Sequence, residues 1–219
     1  MRAMILAAGR GERMMPLTKE TPKPLLHVRG KPLIVWQIER LVKAGFKDIV
    51  INIAYLGYKI KDSLGDGSKW GVNIIYSDEQ QEGALESAGG IIKALAQFEN
   101  KPFLVVNADI WCDYRFEKDF DLGDNLAHLI LVENPQHNPN GDFGIKDSKA
   151  ENSADKMFTF SGIAYYSPKM FENIPCTKLP LAPLLREKIS QKRVSASIHK
   201  GYWYDIGTPQ RLDLVNNRI

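Results

Sequence analysis

The residues best suited to chemistry lie in one stretch, Leu6-Ala7-Ala8-Gly9-Arg10-Gly11-Glu12-Arg13-Met14-Met15-Pro16-Leu17-Thr18, continued by Thr21-Pro22-Lys23-Pro24-Leu25. It follows Ala3–Ala8, an apolar run that reads as a buried strand. Glycines at the C-terminal end of a parallel strand let backbone N–H groups approach an anion, the usual ligand position in open α/β sheets. Arg10, Arg13, Lys19 and Lys23 crowd this loop, with only Glu12 and Glu20 as counter-charges, a balance that suits a triphosphate. Two common phosphate loops do not match. The third glycine of G-x-G-x-x-G would be Met14, and no Gly-Lys-Ser/Thr follows as a P-loop requires. Taken alone, the loop also reads as a solvated basic turn whose glycines serve only to bend the chain.

Two aspartates stand out. Asp109 closes Val105-Val106-Asn107-Ala108-Asp109 at the end of an apolar run, where it either caps a turn or faces the same sheet edge as the glycine loop. Asp205, in Trp203-Tyr204-Asp205-Ile206-Gly207-Thr208-Pro209, is costly to bury unpaired and calls for a cation such as a metal ion; a surface aspartate on an edge strand is the other reading. Gly83 to Gly90 opens a helix near Ser87, either as an ordinary cap or as a site for an anion or polar base. In Asn138-Pro139-Asn140-Gly141-Asp142-Phe143-Gly144, Asp142 can accept sugar hydroxyls or serve an Asx-turn. Trp36, Trp70, His27, His128, His137 and His199 show no ligand spacing and read as packing or surface residues.

These residues need a scaffold that alternates strands and helices. Ala3–Ala8, Asp48–Ile53, Val72–Tyr76 and Pro102–Val106 read as strands, the last apolar throughout and hence central. Between them, Leu33–Ala44, Leu56–Leu64 and Ser87–Gln97 carry helical spacing. That order predicts a mainly parallel sheet with helices on each side. Further on, Ala127–Val132, Met157–Tyr166, Val194–His199 and Tyr202–Ile206 are strand candidates, and Leu181–Gln191 and Pro209–Asn217 are helices, the last capped by Thr208 with Pro209 at its first position. Asn134–Gly144 reads as a loop, and Lys146 to Lys156, with nothing to bury, as an exposed turn. No repeat or linker interrupts the chain, so the second half is expected to extend the same sheet.

At roughly 150 residues per domain, 219 residues point to one domain. With 44% apolar and 25% charged residues, disorder, collagen and coiled coil are excluded. Cys112 and Cys176 are far apart and form no C-x-x-C, which predicts neither a disulfide framework nor a cysteine zinc site, and a reducing, cytoplasmic compartment. A net charge of +3 is too mild for a nucleic-acid-coating protein, and no apolar run approaches the ~20 residues of a membrane span. Ala3–Ala8 behind Arg2 mimics a signal peptide but falls short of the roughly 7–15 residues of its apolar region, so no export is expected.

As a whole string, the opening loop resembles the nucleotidyltransferases that activate sugar phosphates, whose pattern is L-A-A/G-G-x-G-x-R-h-x-P-L-T followed by K-P-h, with h apolar; every fixed position is filled here. The resemblance implies a three-layer, Rossmann-like (GT-A-like) α/β fold forming a single catalytic domain over residues 1–219. Its nucleotide-binding part would span about 1–110 and its sugar-binding part about 111–219. It implies that Ala7, Ala8, Gly9, Gly11 and Glu12 wrap the nucleotide, that Arg13 contacts the β- and γ-phosphates, and that Lys23 sits near the α-phosphate and the incoming sugar phosphate. Asp109 and Asp205 would be the metal ligands, and oxygen ligands completed by phosphate suit Mg²⁺ rather than zinc. Arg13, Lys23, Asp109 and Asp205 are thus the catalytic candidates. Asn107, in an N-A-D segment with Ala108 for the usual glycine, would reach the substrate or the nucleotide sugar. Leu85, Glu86 and Gly89 would contact base and ribose; the segment resembles the muramate-type L-E-T-G-G-G, with Ser87 for Thr and Ala88 for the first Gly, which favours UTP. Asp142, Ser161 and Gly162 would line the sugar end. Met15 departs from relatives that carry a basic residue there.

The implied partners are UTP and a sugar 1-phosphate, N-acetylmuramate 1-phosphate first among them, with no nucleic acid or membrane and a monomer or small homo-oligomer. A mannose-1-phosphate guanylyltransferase, a phosphocholine cytidylyltransferase of the same fold and a catalytically silent nucleotide-sensing module are the alternatives. With one short helix following Asp205 in the sequence, the carboxy-terminal β-helix or acyltransferase domain of several relatives is not expected.

Overall fold

A computed structural model describes residues 1–218. The strands are β1 (Arg2–Leu6), β2 (His27–Val28), β3 (Lys31–Pro32), β4 (Asp48–Ile53), β5 (Asn73–Asp78), β6 (Phe103–Asn107), β7 (Ile110–Cys112), β8 (Ala127–Val132), β9 (Phe143–Lys146), β10 (Lys149–Glu151), β11 (Met157–Tyr166), β12 (Val194–Ile198) and β13 (Trp203–Asp205). The helices are α1 (Leu33–Lys43), α2 (Gly57–Leu64), α3 (Glu86–Ala94), α4 (Leu181–Ser190) and α5 (Pro209–Arg218).

Nine strands form one sheet in the order β5-β4-β1-β6-β11-β8-β12-β10-β9. The strands β5, β4, β1 and β6 are mutually parallel, as the strand–helix alternation predicts. Beyond β6 the sheet becomes mixed: β11 runs antiparallel to both β6 and β8, and β12 returns parallel to β8. Both faces are covered. Ala3, Ile5, Ile49, Ile51, Leu104 and Val106 point into a core shared with Ile34, Ile38 and Leu41 of α1 and Ile60 of α2. Their neighbours Met4, Val50, Phe103 and Val105 point the other way, onto Ile91 of α3 and Leu185 and Ile189 of α4. Alternation of side chains along a strand with apolar residues on both sides is the signature of a sheet buried between two helical layers.

Two expectations need correction. Lys146 to Lys156 is not a bare exposed turn: β9 and β10 form a hairpin at the sheet edge, pairing Ala150 with Ile145, and β9 also pairs with β11. Ala150 is fully buried, so the segment has one residue to bury and is otherwise held by backbone bonds that composition does not reveal. The strand around Tyr202–Ile206 does form, as β13, yet it does not join the main sheet. It pairs antiparallel with β7, an element too short to show any period, in a separate ribbon.

A third apolar cluster joins Met14, Leu26, Val28 and Leu33 to Ile206, Leu212 and Val215, which docks α5 against the opening loop. Among the described residues no helix is long and apolar enough to cross a membrane.

His128 of β8 is held by two hydroxyls of β12, Ser195 at 2.8 Å and Ser197 at 2.9 Å, and its ring lies 4.7 Å from that of Phe120. Burial pushes its pKa down from 6.5 to about 4. Above pH 6.5 neither folded nor unfolded chain carries this proton; between pH 6.5 and about 4 only the unfolded chain does, so stability falls with acidity across that window. Thermal melts from pH 7.5 to 4 should show this decline, and His128→Gln should make it shallower. Parallel curves for the two proteins would mean that the imidazole titrates normally.

Candidate active site

Three adjoining hollows run along the edge of the sheet where β1 and β6 end. The first, of about 380 Å³, is walled by Gly9 to Met14 with Lys23 and Gly207. The second, about 360 Å³, shares Gly9 and Lys23 with it and adds Ala7, Ala8, Asn107, Asp109, Glu86, Ser87 and Lys178 among others. The third, about 450 Å³, shares Glu86, Ser87 and Asn107 with the second and is completed by Asp142, Phe160, Gly162, Tyr166 and Arg186.

The loop after β1 is shaped by its own bonds. Met14 N–H donates to the Gly11 carbonyl at 2.9 Å, closing a short 3-10 turn over Glu12–Met14, and the Thr18 hydroxyl donates to the same carbonyl at 2.8 Å. Lys23, on the next 3-10 turn (Lys23–Leu25), forms an ion pair with Asp109. Both are mostly buried, with the Lys23 side chain 14% and the Asp109 side chain 24% exposed. Asp205 is brought alongside by β13: Ile206 N–H donates to the Asp109 carbonyl at 2.9 Å, and Asp205 pairs in register with Ile110. Its carboxylate meets the Arg211 guanidinium of α5 and the His137 Nε2 at 3.0 Å. Arg211 and Arg13 both crowd Gly207, Arg13 Nη2 standing 3.2 Å from where a Cβ there would lie. Thr208 caps α5, its carbonyl accepting the Arg211 and Leu212 N–H groups at 3.1 Å each.

At the far end, β11 carries a bulge against β8 between Phe160 and Ile163. Bulges re-aim side chains and recur beside active sites. Gly162 sits in it at φ 77°, a region L side chains avoid, and a Cβ there would approach Asn107 Nδ2 to 2.6 Å. Asp142 braces this wall, accepting the Phe160 N–H at 2.8 Å and the Asn138 side-chain amide at 3.2 Å. The Tyr166 hydroxyl is fully buried at the floor of the third hollow and has no partner among the described residues.

Most of the residues singled out by sequence thus converge: Ala7, Ala8, Gly9, Gly11, Glu12, Arg13, Lys23, Glu86, Asn107, Asp109, Asp142 and Gly162 all line the hollows. Asp205 is not among the residues that wall these hollows, and three others do not reach the surface. Leu85 is buried, Gly89 packs against the Thr177 carbonyl, and Ser161 is buried in the bulge with its carbonyl accepting the Trp203 indole N–H at 2.9 Å. Arg211 and His137, which touch Asp205, were not anticipated. Arg211 lies on the first turn of a helix starting four residues past Asp205, the one signal that could have pointed to it. His137 is 68 residues upstream of Asp205, and nothing in its neighbours signals the contact.

Asp109 and Asp205 suit a hard divalent cation: both offer carboxylate oxygens, and each already balances a positive group. No group of three or more His, Cys, Asp or Glu able to hold a metal occurs among the described residues, so substrate oxygens would have to complete any metal's shell.

A mixed sheet between helical layers, with a glycine-rich basic loop and two carboxylates at one edge, defines an enzyme class that handles nucleotides. The chain belongs to the nucleotidyl transferase family, whose model matches residues 2–219. It is 53% identical to the N-acetylmuramate alpha-1-phosphate uridylyltransferase of Neisseria meningitidis serogroup B, over 97% of this chain and 95% of that protein. Mannose-1-phosphate guanylyltransferase catalytic subunit beta of Drosophila melanogaster is 27% identical over 95% of this chain, which spans only 60% of that longer relative. In fold, the chain is similar to a putative glucose-1-phosphate thymidylyltransferase from Bacillus anthracis (TM-score 0.85, 22% identity, 98% of this chain and 93% of that one). It is also similar to HddC from Yersinia pseudotuberculosis complexed with GMP-PN (TM-score 0.80, 23% identity, 99% and 98%).

The bulge makes a structural prediction. Gly162→Ala should cost about 1–2 kcal/mol in urea denaturation, from the left-handed backbone alone and more if Asn107 has to move. Gly9→Ala, which meets nothing within 4 Å, should stay within about 1 kcal/mol of wild type, the scale of a glycine-to-alanine backbone effect. Equal losses at both positions would contradict the bulge geometry.

Proposed function

We propose that this enzyme transfers a uridylyl group from UTP to N-acetylmuramate 1-phosphate, releasing pyrophosphate. The observation that carries the reading is the run of three connected hollows with the Lys23–Asp109 pair at the junction of the first two, matching in order a polyphosphate, a nucleoside and a sugar. The choice of base and sugar rests on the 53% identical uridylyltransferase.

In this mechanism an oxygen of the sugar phosphate attacks the α-phosphorus of UTP in line, a new P–O bond forms, and the bond to the β-phosphate oxygen breaks. The attacking oxygen is already ionised at neutral pH, so no general base is required. What the chain must provide is alignment and positive charge for the phosphoryl oxygens. The backbone of Ala7 to Gly11 wraps the nucleotide, Arg13 takes the β- and γ-phosphates, and Lys23 lies between the α-phosphate and the incoming phosphate. Arg211, beside Arg13 at Gly207, belongs to the same cationic rim. Glu86 and Ser87 face the base and ribose; Asn107, Asp142 and Gly162 face the sugar. Asp109 and Asp205 would hold Mg²⁺, which when bound supplies further charge neutralisation at the phosphates. Residues 1–110 carry the nucleotide and most of the remainder the sugar, as one catalytic unit.

Purified protein with Mg²⁺, each of UTP, GTP, CTP and dTTP, and a panel of sugar 1-phosphates should release pyrophosphate fastest from UTP with N-acetylmuramate 1-phosphate. A faster reaction of GTP with mannose 1-phosphate would replace this reading with guanylyl transfer, and no pyrophosphate from any pair would end it. Asp109→Ala and Asp205→Ala should each lower kcat by about 10²-fold or more, the scale of losing one electrostatic stabiliser. Activity within threefold of wild type in both would mean that the carboxylates serve the fold alone.

A further inference from the structure

Deep in the lining of the nucleotide hollow, Asn52 and Glu79 form a buried polar relay that the transfer reaction leaves unused. Asn52, near the end of β4, accepts the Ala7 N–H on Oδ1 at 2.7 Å and donates from Nδ2 to Glu79 Oε1 at 2.7 Å. Glu79, just past β5, accepts the Leu85 N–H on Oε2 at 2.8 Å. Asn52 is 3% exposed and Glu79 fully buried. Gly90 of α3 closes over the relay: a Cβ there would stand 2.6 Å from Glu79 Oε1 and 2.8 Å from Asn52 Nδ2.

A buried carboxylate is costly unless it is paired or well hydrogen-bonded. No Lys, Arg or His nitrogen lies within 4 Å of Glu79 among the described residues, and its carboxyl is pushed above the usual range by burial, a rise opposed by the bonds from Leu85 and Asn52. Leucine or methionine would fill the space at lower cost, so the position of the two anchored amides points to what is gained. Ala7 begins the glycine loop, and Leu85 precedes Glu86 and Ser87 at the start of α3; both segments line the nucleotide hollow, with Asn52 and Glu79 bridging them.

We propose that Asn52 and Glu79 are positioning residues that set the width of the nucleotide hollow by tying the Ala7 amide to the Leu85 amide. The inference rests on the uridylyl-transfer reading for its ligand, UTP. It explains why Leu85, although buried, matters to the site: its backbone, rather than its side chain, fixes where Glu86 and Ser87 stand.

The bonds run in one direction, which makes a sharp test possible. Both end groups are N–H donors, so the relay needs an acceptor at each end and one donor in the middle. In N52D two carboxylates face each other; in E79Q an amide nitrogen must face either the Asn52 amide nitrogen or the Leu85 N–H. In N52D/E79Q the pattern is whole again, because the amide at position 79 donates to the carboxylate at position 52. UTP affinity by calorimetry and KM for each substrate at saturating partner should therefore change as follows. N52D and E79Q each weaken UTP binding about tenfold, the scale of one unsatisfied buried group, while KM for the sugar phosphate moves less than about twofold. N52D/E79Q returns to within about threefold of wild type, less than the cost of one hydrogen bond. The inference is overturned if the double variant binds UTP as weakly as the worse single one, if both KM values rise together, or if the single variants bind UTP normally. Should a single variant fail to fold, the double variant decides: folded with normal UTP affinity supports the relay, and unfolded or weak overturns it. Wild-type protein that binds UTP but transfers nothing would sink the reaction reading, with the affinities still judging the relay.

Discussion

The reacting end of the cleft depends on a ribbon of six residues. Trp203–Asp205 pairs with Ile110–Cys112, and the Ile206 N–H closes onto the Asp109 carbonyl at 2.9 Å. That pairing brings the backbones of two aspartates, nearly a hundred residues apart, side by side. A ribbon this short is not stable alone. It is held by the cluster in which Ile206, Leu212 and Val215 pack on Met14, Leu26, Val28 and Leu33, so the last helix and the opening loop fasten each other and the ribbon between them. The apolar contact and the polar site are consequently one construction: loosening the first displaces the second.

Charge is arranged under the same constraint. Asp109 faces Lys23, and Asp205 faces Arg211, in positions from which water is largely removed, with the exposed His137 at the rim beside Asp205. Partly buried charges are tolerable only when each has a partner, and removing one leaves the other expensive. Each of these carboxylates keeps a cation in place while the fold withdraws it from solvent. Glu79 is the exception, a buried acid with no Lys, Arg or His nitrogen within 4 Å among the described residues, and it is satisfied by amides in the lining of the cleft.

Much of this was legible from residue order. The strands β1, β4, β5 and β6 and helices α1 to α3 announced themselves because each buries a continuous or periodic apolar set, and periodicity is local. The glycine loop, Asp109 and Asp205 were legible because the strings that hold them resemble the motifs of a known family. The β9–β10 hairpin was not, since Ala150 alone faces the core and backbone pairing leaves no trace in composition. Leu85, Gly89 and Ser161 lie next to residues that line the hollows, but which side of the wall each takes depends on a helix start and a bulge. Asn52, Glu79, His137 and Arg211 act through contacts spanning 6 to 74 residues, and no window of sequence contains most of them.

By itself the sequence determined the layered α/β architecture and which residue types could meet a nucleotide and a sugar phosphate, because hydrophobic period and motif strings are properties of neighbours along the chain. Only the tertiary structure decided that Asp205 reaches Asp109 through a ribbon outside the main sheet, that Arg211 joins Arg13 at Gly207, and that Asn52 and Glu79 bridge two segments lining the nucleotide hollow. Those are pairings between distant segments, and they exist only once burial has selected which faces meet.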